Sequence, residues 1–297
     1  MNKKGEMTTQ QIVVMIILIA SFAVILFFLA RLGLGEDADT ELCHNSVAMR
    51  GAGISELADA TPLNCKRESV CFSKDGSCEN MYKPKVVEVE DKLSAYKALA
   101  EEISTCWWMF GEGKVNYVGK DVLPKLYCSL CDQVAFDDSM KEVFDGNEFD
   151  KKEFYYYMTL ANISETQTYS QYLFGTNDLN VISGNLSYGK IKLDKQYFIL
   201  TGMTSDVSVL GWAAIGAGAL IGGTIYTVAT GGTGLIAGAI AIGSAGVGGA
   251  AAGAGSAYFI APMVEDFLGN KQVSPSLIEV NSKEFEALNC EEVATKS

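Results

Sequence analysis

His44 is the only histidine in the chain, so any Ser-His-Asp or Cys-His arrangement would have to use it. It abuts Cys43 in a stretch that reads as a disulfide loop, and is expected to be a surface side chain. Zinc held by Cys43, His44 and later cysteines is chemically conceivable, but the spacing matches no standard zinc pattern. Cys128-Ser129-Leu130-Cys131 has the CxxC spacing of thiol-disulfide exchangers. That chemistry needs a low-pKa thiolate, usually at a helix N-terminus after a strand. Here Pro124-Lys125-Leu126-Tyr127 precedes the pair, and Asp132, Asp137 and Asp138 follow, where negative charge raises a thiol's pKa. A structural disulfide role is expected.

Asp145-Gly146-Asn147-Glu148-Phe149-Asp150 begins like a calcium loop but has Asp150 where the sixth-position glycine belongs, so it reads as an ordinary loop. Asn162-Ile163-Ser164 and Asn185-Leu186-Ser187 are N-glycosylation sequons, making Asn162 and Asn185 candidate modification sites. No phosphate-binding loop appears, because the glycine-rich stretch lacks the lysine such a loop needs. No catalytic constellation, metal site or cofactor is expected, and the chain reads as non-enzymatic.

The elements that carry these residues divide the 297-residue chain unequally. Residues 12–30 contain one polar side chain, Ser21, and a helix of that length spans roughly 28 Å, close to the ~30 Å core of a bilayer. Lys3 and Lys4 precede it and Glu36, Asp37, Asp39 and Glu41 follow, so the N-terminal residues 1–11 are expected in the cytoplasm and residue 36 onward outside. A cleaved secretory signal is the rival, with a shorter apolar run and a small-x-small site, to which Arg31-Leu32-Gly33-Leu34-Gly35 is a poor match.

Eight cysteines (Cys43, Cys65, Cys71, Cys78, Cys106, Cys128, Cys131 and Cys290) all follow that run, as suits disulfides in an oxidising compartment. Cys71 and Cys78, flanking the turn-like Lys74-Asp75-Gly76-Ser77, are the expected local pair. The formal charge is −13; setting aside Lys3, Lys4, Arg31 and Glu6 leaves −15 for the remainder. Such a surface repels phosphate backbones, so nucleic acid is not an expected partner.

Lys3-Lys4-Gly5, a short polar stretch from Glu6 to Gln11 and then the apolar helix resemble the class III signal of archaeal type IV pilin-like proteins. The resemblance implies cleavage between Gly5 and Glu6, with the helix retained for anchoring or filament packing. Gln10 would then stand fifth, where bacterial pilins carry glutamate. The body, through Cys106-Trp107-Trp108-Met109-Phe110-Gly111-Glu112-Gly113-Lys114 and the CxxC pair, is similar to uncharacterised surface proteins of small-genome archaea, a likeness that implies no activity.

Within the outer domain (36–206), residues 36–84 read as irregular and disulfide-stapled. Residues 86–110 read as a helix, with Leu93, Tyr96, Leu99, Ala100, Ile103, Trp107 and Phe110 forming one apolar stripe that Gly111 and Gly113 terminate. Trp107 to Phe110 and Phe154 to Tyr157 are expected in the core. Residues 139–160 read as one or two helices, 190–201 and 276–280 as strands that could pair, and 283–288 as a last helix capped by Asn281 or Ser282 within the C-terminal segment 265–297.

From 207 to 264 no side chain is charged. The expected form is a helical membrane hairpin, 207–228 and 234–260, with glycines at four-residue steps (Gly218 and Gly222, Gly234 and Gly238, Gly249 and Gly253) for close packing. A hydrophobic hairpin buried in the outer domain is the rival. The fold class expected is α+β: an N-terminal transmembrane helix, a disulfide-stapled mixed domain and an inserted Gly/Ala-rich helical hairpin. The function expected is a membrane-anchored cell-surface protein with a structural or interaction role, in contact with the bilayer and with other surface proteins or copies of itself. A pore-type protein using 207–264 and a thiol-disulfide exchanger using Cys128 and Cys131 are the alternatives.

Overall fold

The computed structural model describes residues 9–31, 34–52, 63–79, 81–118, 126–183, 188–204, 226–229, 236–243, 257–265, 271–288, 290–293 and 295. Gly5, Glu6 and Asn185 lie outside the described residues, as do the expected glycine contacts at Gly218, Gly222, Gly234, Gly249 and Gly253. In chain order the elements are α1 (Thr9–Arg31), α2 (Leu34–Gly51), β1 (Glu68–Ser73), β2 (Lys85–Glu88), α3 (Lys92–Met109), β3 (Tyr127–Phe136) and α4 (Met140–Val143). Then follow β4 (Glu148–Asp150), α5 (Lys151–Leu160), β5 (Asn162–Ser164), β6 (Gln167–Thr168), α6 (Tyr169–Phe174), α7 (Leu179–Ser183), β7 (Lys190–Lys192) and β8 (Tyr197–Thr204). The chain ends through β9 (Tyr226–Ala229), β10 (Ile236–Gly243), β11 (Ala257–Glu265), β12 (Lys271–Glu279), α8 (Lys283–Leu288) and β13 (Glu291–Glu292).

Among the described residues nine strands join one mixed sheet, ordered β2-β1-β3-β8-β12-β11-β10-β9, with β13 also paired to β3. β1, β2 and β3 run parallel, and the crossover from β2 to β3 carries α3. β13 also runs parallel to β3, and the remaining neighbours are antiparallel. The chain is thus α+β and disulfide-bonded. The strand expected at 190–201 is broken by a turn, Lys190–Lys192 forming β7 against β4 and Tyr197–Thr204 forming β8. It is β8 that pairs with β12 over the expected 276–280, through Leu200 with Ser276 and Phe198 with Ile278. Pro275 falls inside β12 where the register slips between Val273 and Ser276, an irregularity that tolerates a residue with no N–H to donate.

Two corrections concern whole segments. Residues 207–264 are not a helical hairpin where they are described: β9, β10 and β11 are strands in an antiparallel meander. The residues explain it. Ile236, Ile240 and Ile242 recur at even spacing among Ala and Gly, Tyr226-Thr227-Val228 and Tyr258-Phe259-Ile260 favour strands, and glycine costs a helix about 1 kcal/mol each. Residues 36–84 are likewise not irregular throughout. They hold most of α2 and all of β1, because the acids of α2 gather in its first half and Arg50 in its last turn, complementing the helix dipole, while Cys43 and Val47, four residues apart, are fully buried.

The expected helix 86–110 is α3, two strand-forming valines (Val86 and Val87) having gone to β2 instead. Asp91 accepts from the Ser94 backbone N–H and the Ser94 hydroxyl bonds back to the cap, closing a capping box. Tyr96, Leu99, Ala100, Ile103, Trp107 and Phe110 are buried as the stripe requires, but Leu93 in the first turn is 64 % exposed. Gly111 and Gly113 take positive φ and end the helix. α8 runs over the expected residues, with Ser282 Oγ accepting from the Phe285 N–H.

One core lies between the sheet and helices α3, α5 and α6, centred on Phe72, Tyr96, Trp107, Phe154 and Ile199. A smaller one on the opposite face joins Leu126, Cys128, Leu200 and Ile278 to α8 through Leu288 and Phe285. β8 is buried on both faces, as an apolar central strand should be.

Candidate functional site

β3 reaches both cores because its side chains alternate, and it bulges at Cys131. Leu130 opposes Leu200 and Asp132 opposes Ile199, leaving Cys131 as an extra residue. Before the bulge, Cys128 belongs to the α8 side; after it, Cys131, Val134 and Phe136 belong to the α3 side. The CxxC pair is therefore split. Cys106 bonds Cys131, tying α3 to β3, and Cys128 bonds Cys290, tying β13 to β3. Cys43 bonds Cys65, and Cys71 bonds Cys78 as the local turn suggested. Cys128 and Cys131 are 1 % and 2 % exposed, so two buried disulfides on opposite sheet faces stand where an exchanger would have a paired, accessible dithiol.

The bulge also turns Asp132 toward a cleft of about 830 Å³, the size range of small-molecule sites. Its floor is the start of the parallel strands: Glu68 lies opposite Asp132 in the β1–β3 ladder, and Lys85 opens β2. One wall is α3, where Glu101, Thr105 and Trp108, and beside them Glu102 and Met109, recur at helical spacing. Asp39 and Glu41 of α2 form the rim, and Ile163, Tyr169 and Tyr172 close the far side. In open α/β sheets, ligands favour the carboxyl ends of parallel strands. This cleft lies at the opposite ends, so the fold gives no argument for a nucleotide.

The cleft is acidic and partly desolvated. Asp39, Glu41, Glu68, Glu101, Glu102 and Asp132 face two lysines. Lys66 reaches Asp39 at 3.3 Å on the exposed rim, and Lys85 reaches Glu102 at 3.3 Å deeper in. Burial, reinforced by repulsion from Glu102 and Glu68, pushes the Asp132 carboxyl up to about 8, against a backbone hydrogen bond from Glu68 and the nearby Lys85 charge. Burial, with Glu101 adding repulsion, pushes the Tyr169 hydroxyl up to about 12. Ser104 lines the cleft at 5 % exposure, and its Oγ has no hydrogen-bond partner among the described residues.

Trp108 separates from its neighbours in the apolar run. Trp107, Met109 and Phe110 are buried in the core, whereas Trp108 is half-buried at the cleft. His44 stacks on it with ring centroids 4.0 Å apart, and its Nδ1 is 2.7 Å from the Trp108 carbonyl oxygen. A carbonyl only accepts, so Nδ1 carries the proton. His44 is thus a positioning contact for Trp108, rather than the free surface residue expected. Phe154 and Tyr155 are in the core as expected, while Tyr156 is 55 % exposed.

Among the described residues no group of three or more His, Cys, Asp or Glu side chains could hold a metal ion. The calcium-like run is a turn with Asp145 at positive φ, and Asp150 instead caps α5 by accepting from the Lys152 N–H. Asn162 is exposed at the start of β5. The sequence named none of the cleft's acids as a group, because Glu68, Glu102 and Asp132 meet only through strand register and the α3 crossover. Comparison of the chain with protein-family models, curated proteins and solved structures finds no match.

Proposed function

We propose that the chain is a membrane-anchored cell-surface protein whose disulfide-stapled outer domain has an interaction role. The observation that carries this reading is the surface of α1. Ile16, Ile17, Leu18, Ile19 and Phe22 are 60–63 % exposed, and leaving such side chains in water forgoes about 1.5–3 kcal/mol apiece. Ser21, the one polar residue of the apolar run, donates to the Leu18 carbonyl, so it satisfies its hydroxyl within the helix as a lipid environment requires. The 23 residues of α1 extend about 34 Å, enough for a bilayer core. Among the described residues no helix is long and apolar enough to cross a membrane; the described side chains of α1 are residues 12–25 and 27, a shorter span than the helix itself.

Lys3 and Lys4 before α1 and the acids after it favour a cytoplasmic N-terminus. Four disulfides in the body suit the oxidising side. The resemblance at Lys3-Lys4-Gly5 adds a pilin-like origin, with α1 available for self-association.

Intact mass of natively purified full chain, with and without reduction and alkylation, joined to flotation with liposomes, tests this. Flotation, together with cysteines that alkylate only after reduction, is the expected outcome. Free thiols from the start, or a chain that stays at the bottom of the gradient, would overturn it. Loss of residues 1–5 would support pilin-like processing, and a full-length mass would leave an ordinary anchor.

A further inference from the structure

We propose that the cleft between α2, α3, β3 and α6 binds an extended organic cation carrying two or more alkylammonium groups. The inference rests on the interaction role proposed above and names the ligand class of its site.

Three independent features converge on that chemistry. Carboxylates occur at both ends of the cleft, with Asp39 and Glu41 at the rim and Glu68, Glu102 and Asp132 at the floor. Between them Trp108, Met109, Ile163, Tyr169 and Tyr172 offer an apolar, aromatic wall, which suits a methylene chain and gives an ammonium ring faces to lie against. The Ser104 hydroxyl, buried along the cleft, supplies a polar group that no described residue hydrogen-bonds.

A bare divalent ion fits poorly, since among the described residues no three acidic, His or Cys side chains come close enough together to hold one. An anionic ligand would meet the six carboxyl groups. A volume of about 830 Å³ exceeds what a single ammonium needs, so the chain between the charges is part of what is recognised. The Cys106–Cys131 bond fixes the α3 wall to the β3 floor, so little ordering is needed on binding.

Asp132 gives the site a signature. Its surroundings are Glu68 on β1, Lys85 on β2 and Glu102 on α3, with Glu101, Tyr169, Tyr172, Asp39, Glu41 and Lys66 farther along the cleft. Near neutral pH it holds a proton; an ammonium beside it favours the carboxylate, and that proton leaves to buffer. Affinity should therefore rise with pH through the neutral range and proton release should accompany binding.

Two sources share this chemistry: a free polyamine and the lysine side chains of a peptide. Isothermal titration of the detergent-solubilised full chain with spermine, trilysine and calcium chloride separates them. Saturable binding of spermine or trilysine is expected, weakened about tenfold or more by Glu102→Gln and by Asp132→Asn, and less by the exposed Glu41→Gln. Proton release, read from buffers of differing ionisation enthalpy, should vanish in Asp132→Asn. Binding by spermine alone points to a polyamine, and by trilysine alone to a basic peptide. No binding by either, tighter binding of calcium, or affinities that Glu102→Gln and Asp132→Asn leave unchanged would overturn the proposal. None of these outcomes bears on flotation, so the anchoring reading stands or falls separately.

Discussion

Replacing Asp132 by asparagine should stabilise the protein, and by more as the pH rises. The side chain is 4 % exposed, and burial with repulsion from Glu102 and Glu68 moves its carboxyl from the ordinary 3.8 to about 8. Below pH 3.8 the folded and unfolded chains both hold the proton, so the group contributes nothing. Between about pH 4 and about pH 8 the unfolded chain has lost it while the native chain keeps it. The unfolded state then binds fewer protons, and stability falls as pH rises, by up to about 1.4 kcal/mol per pH unit. Across three units of that window the loss approaches about 4 kcal/mol, less whatever relaxation and water entry recover; about 2–4 kcal/mol is the working range. Asparagine keeps the shape and cannot ionise. Urea unfolding of the full chain in micelles, without reductant and followed by tryptophan fluorescence, gives the difference directly. Curves for parent and Asp132→Asn should coincide near pH 4 and separate steadily toward pH 8. Parallel curves would refute the burial argument, and a variant that falls below the parent at pH 8 would reverse its sign.

Lys151, 2 % exposed and donating to the Leu277 carbonyl at 3.1 Å, offers the complementary case. Burial lowers its amine to about 8, so the unfolded chain binds the extra proton between about pH 8 and about pH 10.5 and stability should climb there; the climb should be absent in Lys151→Met urea titrations. Opening the Cys128–Cys290 bond, which closes 162 residues, should cost up to about 5 kcal/mol in chain entropy, against about 2 kcal/mol for the seven-residue Cys71–Cys78 loop. Double serine variants compared by denaturation midpoint check the order. A Cβ at Gly202 would come within 2.6 Å of the Tyr127 carbonyl oxygen, so Gly202→Ala should lose about 1–3 kcal/mol by the same assay. Thr168 caps α6 through Gln171, and Thr168→Ala should cost about 1 kcal/mol while loosening the Tyr169–Tyr172 wall, read as weaker spermine binding.

Local signals were the legible ones. The cap at Ser282, the stripe along α3 and the turn between Cys71 and Cys78 each involve residues within one or two helical turns, where spacing alone decides. The Gly/Ala segment misled because a run without charge suits a membrane helix and a sheet interior equally. Its even-spaced isoleucines and its strand-forming Tyr-Thr-Val and Tyr-Phe-Ile triplets were the signals for strands, and glycine content argued the same way. The acidic cleft was not legible at all. Glu68 and Asp132 are 64 positions apart and meet by ladder register, a quantity that one sequence does not fix.

β3 shows why a motif's spacing and its chemistry can part. In a helix, residues three apart share a face, so a CxxC pair can close on itself. In a regular strand they point to opposite faces, since side chains alternate. The bulge at Cys131 adds one residue, and the strand uses it to keep Cys131, Asp132 and Val134 all toward α3 while Cys128 stays toward α8. Each cysteine therefore finds a partner from a different element: Cys106 in the wall of the cleft and Cys290 beside the final strand. Alternation alone separates the two cysteines, and the extra residue turns the carboxyl of Asp132 inward, toward Glu68 and Glu102. What looks in sequence like a redox motif beside an incidental aspartate is, in the fold, a two-sided staple holding one buried acid at the floor of a cleft.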